Sequence, residues 1–424
     1  MLIEAFGKTD VGRRRAHNED SMLADSELGI YLVADGMGGA AAGEIASAQA
    51  VALMRQYLLD GKAALETMAK NWTPENQAAA VQVLEGAVQK ACFEIHQLSV
   101  QDTSKRGMGS TLAALVIVGN KGIISNVGDS RIYLIRNAQC HRLTEDHTLV
   151  AIQLKAGAIT REQAATSQYR NVITRAVGIQ ASVQVDTLVL DVLPGDSFLL
   201  CSDGLHGYFP EAEILRTFEQ VPTQELPEHF VATANERGGK DNITALVVSV
   251  KGDPTVVNEE VLEAQSRMEA LKKIPLFRHL TYKEQTAVLS IATTRSYAEG
   301  EEIIREGQPG HDLYIVIKGR VVVEKGGMEI SELFSGGHFG EMGLVDNAPR
   351  SATIRASEAT RVMLVARSEL MTLMKRESIL AVKMLWSFVQ VLADRLRAAN
   401  FELSEARQEL AIVHAVKPFS EEEE

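Results

Sequence analysis

LVADGMGGAAAGE, residues 32–44, decides the fold of the first half of the chain. An apolar run stops at Asp35, glycines follow at 36, 38, 39 and 43, and EIASAQAVALMRQYLL (44–59) continues with helical spacing. The order is strand, carboxylate, glycine turn, helix. The stretch has no lysine and no GxxxxGK[ST] pattern, so it is a poor loop for cradling a nucleotide phosphate. Its chemistry lies in the aspartate. A charge at the end of a buried strand is costly unless something neutralises it.

Four more islands hold carboxylates beside turn residues: HNED (17–20), GDSR (128–131), CSDG (201–204) and KDN (240–242). Singly, each reads as a turn with a local side-chain hydrogen bond. Together they can persist around a divalent cation, and oxygen ligands suit magnesium or manganese. Two such ions, about 3.5–4 Å apart, activate water and clamp a phosphoryl group. Arg13, Arg14 and Arg15 precede HNED, and a guanidinium pairs bidentately with phosphate oxygens. A solvated basic turn accounts for at least two of them.

Around these islands, residues 28–250 hold short β-rich runs such as IYLVA, TLAALVIV, SFLLCS and ITALVVSV, with helical stretches at 44–59 and 78–98. Strands grouped apart from helices predict a layered α+β domain. A chain of 424 residues, 46% hydrophobic, is long enough for two cores. The net charge of -13 argues against nucleic acid and anionic membrane as partners. Cys92, Cys140 and Cys201 show no paired spacing, which fits a reducing cytoplasm; no export signal or membrane-spanning run is expected.

In order, TDVGRRRAHNEDS, LVADGMGGAAAGE, GMGSTLAAL, NVGDSRIYLIR, LTEDHTLV, YRNVITRAVG, LLCSDGL and GKDNITALVV make residues 1 to about 250 resemble the bacterial type 2C, metal-dependent serine/threonine protein phosphatases. The resemblance implies a four-layer αββα sandwich and two Mn2+ or Mg2+ ions. Asp35 would bridge them, with the Gly36 carbonyl on one and Asp203 and Asp241 on the other. Asp129 would hold a weaker third ion, Glu19 and Asp20 would act on or near the metal waters, and Arg15 would bind the phosphate. Residues 146–178 would form the flap beside the active site. Ala40 departs from the pattern, since bacterial relatives commonly carry histidine there; His17 is a candidate substitute. A catalytically inert, ligand-sensing module is the alternative reading.

Glycines at 300, 307, 310, 319, 326, 327, 336, 337, 340 and 343 divide short strands in the second half and predict a small β-roll. In GGHFGEMGLVDNAPRSATIRA (336–356) a glycine turn precedes a short helix-like segment and Arg350, a combination suited to an anion. From FRHLT (277–281) to about 370 the chain resembles cyclic nucleotide-binding domains. That resemblance implies Arg350 on the cyclic phosphate, Glu341 on the ribose 2'-hydroxyl, and the backbone of Gly340, Ser351 and Ala352 on the phosphate oxygens. It favours cAMP over cGMP.

Leu385, Val389, Leu392, Leu396, Ala399, Leu403, Ala406, Leu410 and Val413 alternate four and three apart, a seam that wants a partner helix. A homodimer is expected, with intramolecular packing as the alternative. The expected boundaries are a phosphatase domain over 1–252, a linker helix over 253–275, a nucleotide-binding domain over 276–380, a C-terminal helix over 381–415 and an acidic tail over 416–424. The function expected is cytoplasmic hydrolysis of phosphoserine or phosphothreonine in proteins, regulated by cyclic nucleotide.

Overall fold

The computed structural model describes residues 1–38, 42–252, 259–345 and 348–416. The turn at Ala40 and the acidic tail after Val416 lie outside them. By contacts the chain divides into two units: Met1–Ser266 with Tyr282–Ile291, and Arg267–Thr281 with Ala292–Glu424. Sequence reading placed 282–291 in the nucleotide-binding domain; by contacts this segment groups with the first unit.

In the first unit the strands are β1 (Leu2–Asp10), β2 (Asp20–Asp25), β3 (Ile30–Met37), β4 (Gly109–Ser110), β5 (Leu112–Val118), β6 (Lys121–Val127), β7 (Arg131–Arg136), β8 (Gln139–Arg142), β9 (Asp186–Asp191), β10 (Ser197–Cys201) and β11 (Ile243–Lys251). One sheet runs β1-β11-β10-β7-β8 and the other β2-β3-β5-β6-β9, with β4 added to β3; all these pairs are antiparallel.

Strand periodicity explains the layers. On β3, Ile30, Leu32 and Ala34 join a core with Ala46, Ala50 and Met54 of helix Ala42–Asp60 and Leu84, Val88 and Ala91 of helix Pro74–Gln101. Their neighbours Tyr31 and Val33 are also fully buried and point to the opposite face. β11 repeats this: Ile243, Ala245 and Val247 pack with Ile214 of helix Glu211–Gln220 and Phe230 of helix Leu226–Glu236, while Leu246 and Val248 are buried on the other face. Because β2 and β3 contact β11 across the gap, the remaining faces meet in a central layer. This is a mixed α+β fold with helices outside two sheets, and near-continuous apolar strands follow from burial on both faces.

In the second unit the strands are β12 (Ala292–Tyr297), β13 (Glu302–Ile304), β14 (Leu313–Lys318), β15 (Val321–Lys325), β16 (Met328–Leu333), β17 (His338–Phe339), β18 (Thr353–Ala356) and β19 (Thr360–Val365). They form two four-stranded antiparallel sheets, β12-β19-β14-β17 and β13-β18-β15-β16. Tyr314, Val316, Val321, Phe339, Ile354 and Val362 fill the space between them. Helix Glu259–Lys272 stands in the expected linker, and helix Ser378–Val416 runs 39 residues without a break.

Candidate active site

β3 delivers Asp35 by simple alternation: it follows Tyr31 and Val33 on the face turned to the other sheet. Opposite it in register stands Asp20 on β2. From the second sheet, β10 ends at Cys201 and turns through Ser202 into Asp203, while Asp241 lies just before β11. Strand ends of both sheets therefore bring Asp20, Asp35, Asp203 and Asp241 to one end of the sandwich. Asp129, between β6 and β7, joins them.

Two glycines are required by close approach. A Cβ on Gly36 would lie 2.0 Å from the Gly43 carbonyl oxygen and 2.7 Å from that of Glu19, whose carbonyl accepts the Gly36 N–H at 3.0 Å. A Cβ on Gly204 would lie 2.0 Å from the Asn242 carbonyl oxygen. These contacts press the end of β3 against Glu19 and the Asp203 turn against Asp241–Asn242.

The electrostatics are those of a crowded anionic site. Burial, then the charges of Asp20, Asp203, Asp129 and Asp241, drive Asp35 well above the usual carboxylate range. Burial raises Asp20 to about 7, although Thr244 and Ser202 donate to its Oδ2 at 2.6 and 2.7 Å. Burial with Asp203 and Asp146 raises Asp129 to about 7. Burial with Asp241 raises Asp203 to about 6, against a hydrogen bond with Asp35. One oxygen each of Asp20, Asp129 and Asp203, the Oδ1, is buried with no hydrogen-bond partner.

Arg15 is half-exposed and donates to Asp241 Oδ2 at 2.7 Å, with Glu19 Oε2 4.0 Å from its other terminal nitrogen. Arg13 and Arg14 are exposed, as is His17. Among the described residues, no three His, Cys, Asp or Glu side chains converge as a closed ligand set. The cluster nevertheless fits divalent cations: its donors are hard oxygens, three of them buried and unpartnered, and their mutual repulsion is what positive charge would relieve.

Several residues that hold the site escaped the sequence reading. Thr111 Oγ1 accepts the Asp35 N–H at 2.9 Å and bonds Ser130 Oγ at 2.7 Å. Asn242 Oδ1 accepts the Glu19 N–H at 2.8 Å, and its amide donates to the carbonyls of Val11 and His17, both at 2.9 Å. His206 Nε2 lies 3.0 Å from the Asp129 carbonyl oxygen, and burial lowers this histidine to about 3. The signal was available: Thr111 and Ser202 border apolar strands and Thr244 lies within one, and a buried hydroxyl needs a partner.

In the second unit, Gly340 takes the left-handed conformation (φ +81°) and opens a single turn, Glu341–Leu344. Arg350 reaches back to this turn, donating to the carbonyls of Gly340 and Asp312 at 3.2 and 3.1 Å, with its guanidinium 5.8 Å from the Tyr314 ring centre. Glu341 is buried, Ser351 is exposed and Ala352 is half-buried. The structure thus gathers Gly340, Glu341 and Arg350, with Ser351 and Ala352 next in the chain.

Comparison with known proteins then decides the family. Residues 11–238 match the family model described as Protein phosphatase 2C. The serine/threonine phosphatase stp of Listeria innocua is 38% identical over 254 residues, 58% of this chain and 95% of the relative. The chain belongs to the protein phosphatase 2C family. This phosphatase 2C chain also resembles the solved Mycobacterium tuberculosis serine/threonine phosphatase PstP/Ppp (TM-score 0.53, 30% identity, 59% of this chain, 100% of that one). A catalytic domain of PstP in complex with 2 manganese ions matches with TM-score 0.50 and 29% identity, over 59% of this chain and 99% of that one. Residues 294–377 match the Cyclic nucleotide-binding domain model. The protein is a type 2C serine/threonine phosphatase that carries a cyclic nucleotide-binding domain, and no described helix is long and apolar enough to cross a membrane.

Proposed function

We propose that the protein hydrolyses phosphoserine and phosphothreonine in proteins with two Mn2+ or Mg2+ ions held by Asp35, the Gly36 carbonyl, Asp203 and Asp241, and a weaker third at Asp129. When bound, such ions polarise the phosphoryl group and lower the pKa of water so that it attacks at neutral pH. Arg15 receives the phosphate: it is half-exposed at the mouth, and its partner Asp241 is the residue that a cation would draw away. Asp20, fixed by Ser202 and Thr244, keeps one oxygen unpartnered toward the cluster and receives a proton from the attacking water. Glu19, its backbone anchored by Asn242, orders water beside it.

The observation that carries this reading is the cluster of buried, unpartnered carboxylate oxygens on Asp20, Asp129 and Asp203. The test is manganese-dependent turnover of a phosphopeptide. Asp203→Asn should lose at least about 100-fold in kcat/KM, and Arg15→Ala should mainly raise KM. An Asp203→Asn enzyme as active as wild type overturns the metal assignment.

Cyclic nucleotide, with cAMP preferred to cGMP, binds at Gly340, Glu341, Arg350, Ser351 and Ala352 and alters phosphatase activity. Arg350 is already held by the carbonyls of Gly340, at the start of the turn, and Asp312, so an anion arriving there meets a guanidinium held in place. Calorimetry of cAMP and cGMP against wild type and Arg350→Ala tests the site; equal heats from both proteins remove Arg350 from it. Regulation requires unequal affinity for two states of the enzyme. Binding without any change in turnover removes that part of the reading.

A further inference from the structure

Helix Tyr282–Ser290 groups with the phosphatase unit, although the chain before it, Arg267–Thr281, and after it, from Ala292, groups with the other unit. It is tied at both ends to the phosphatase. The Tyr282 ring stacks on His141 with centres 3.9 Å apart, and its hydroxyl accepts from Arg136 at 2.7 Å. Lys283, whose side chain is 15% exposed, donates to Glu145 Oε1 at 3.1 Å. At the far end, Gln77 Nε2 on helix Pro74–Gln101 donates to the Ser290 carbonyl at 2.9 Å.

Glu145 is a junction. Its other oxygen takes Lys155 at 3.0 Å, at the end of helix Leu149–Lys155 in the flap, and its carbonyl accepts Asn126 Nδ2 at 2.9 Å. Two residues on, His147 Nδ1 accepts the Gly128 N–H at 3.1 Å, and the His147 N–H donates to the Gly128 carbonyl at 2.9 Å. Gly128 immediately precedes Asp129. Glu145 therefore joins Lys283 and the first flap helix through its carboxylate, and the end of β6 before Asp129 through its carbonyl, with His147 holding Gly128 beside it. Burial works to raise Glu145, but the charges of Lys283 and Lys155 outweigh it and keep the group ionised.

We propose that helix Tyr282–Ser290 is a positioning element for the flap, with Lys283 setting the flap root through Glu145, and that cyclic nucleotide acts on the phosphatase by loading this helix. The second clause rests on the regulatory reading above. Lys283 touches no reacting atom. Its effect falls on how a protein substrate is received beside the flap, and so on KM for a phosphopeptide rather than on turnover of a small aryl phosphate.

The test uses the full chain loaded with manganese, with and without cAMP, on a phosphopeptide and on p-nitrophenyl phosphate. Lys283→Ala should raise the phosphopeptide KM about three- to tenfold while leaving p-nitrophenyl phosphate kcat near wild type, which also shows that the variant folds. It should bind cAMP with wild-type heat yet lose the nucleotide-induced change in phosphopeptide KM. Lys283→Arg should restore both. Tyr282→Phe, which keeps the ring on His141 but loses the Arg136 bond, should fall between. A Lys283→Ala enzyme with wild-type KM and wild-type response overturns the proposal. If wild type binds cAMP and responds in neither parameter, the regulatory reading fails and takes the loading step with it; the KM of Lys283→Ala without nucleotide then decides the positioning role alone.

Discussion

Asp20 on β2 stands directly opposite Asp35 on β3, so the antiparallel register itself sets two buried carboxylates side by side. Like charges facing each other across a strand pair are destabilising. Burial in the same place holds both groups above their ordinary range. Positive charge placed between them would relieve that repulsion. Asp20→Asn should therefore separate stability from function. Freed of repulsion from Asp203 and Asp241, the chelated variant should be at least as stable as wild type, by up to about 1 kcal/mol, while manganese-dependent turnover falls at least about tenfold. Urea melts in chelator and kcat with metal measure the two effects. A variant that loses both stability and activity assigns Asp20 to structure.

Metal removal should expose a pH dependence of defined sign. Asp20, Asp129 and Asp203 are raised to about 7, 7 and 6 in the folded protein. Ordinary aspartates in the unfolded chain lose their protons near pH 4. Between these values the native state binds more protons than the unfolded one, so stability falls as pH rises. Cations bind the deprotonated form and reverse that loss. Calorimetric melts in chelator should show a Tm that declines from pH 5 to pH 7.5, and manganese should raise Tm more at pH 7.5 than at pH 5. An equal metal effect at both pH values contradicts the account.

Gly36→Ala tests whether the site needs its close approach. The added Cβ would stand 2.0 Å from the Gly43 carbonyl oxygen, a backbone atom that cannot swing aside. The strain should cost about 1–3 kcal/mol and displace the end of β3 beside Asp35. Manganese should then stabilise the variant much less than wild type in thermal melts. A glycine tolerant of alanine here would mean that the end of β3 and the Glu19 segment are not pressed together as described.

Much of the first unit was legible because β-period burial and turn chemistry act locally. Asp35 at the end of IYLVA, and Asp203 beyond SFLLC, could be placed from their strands. What adjacency in sequence could not give was the pairing across sheets: that Thr244 and Ser202 both donate to Asp20, more than 180 residues away, depends on which strand ends meet. The same limit applied to 282–291. Its residues fell within the boundary expected for the nucleotide-binding domain, whereas the contacts of Tyr282 with Arg136 and of Lys283 with Glu145 group it with the first unit. Arg350 was found from a motif, but its grip on the Gly340 turn needed three-dimensional closure.

Helix Ser378–Val416 leaves the described apolar side chains of its seam in water. Leu385, Val389, Leu392, Leu396 and Leu403 are each about half or more exposed; the first four follow one another four and three residues apart, and Leu403 lies one heptad beyond Leu396. From Leu385 to Leu403 this stripe runs about 27 Å along the helix, and it is costly to hydrate at roughly 25 cal/mol per Å2 of apolar surface. A second copy of the same helix offers the matching stripe, because heptad spacing is self-complementary about a two-fold axis. The chain should sediment as a dimer at micromolar concentration. Leu392→Glu with Leu396→Glu should shift it to monomer while leaving manganese-dependent turnover of p-nitrophenyl phosphate unchanged, since neither residue belongs to the phosphatase unit. A wild-type chain that remains monomeric across that range overturns the dimer.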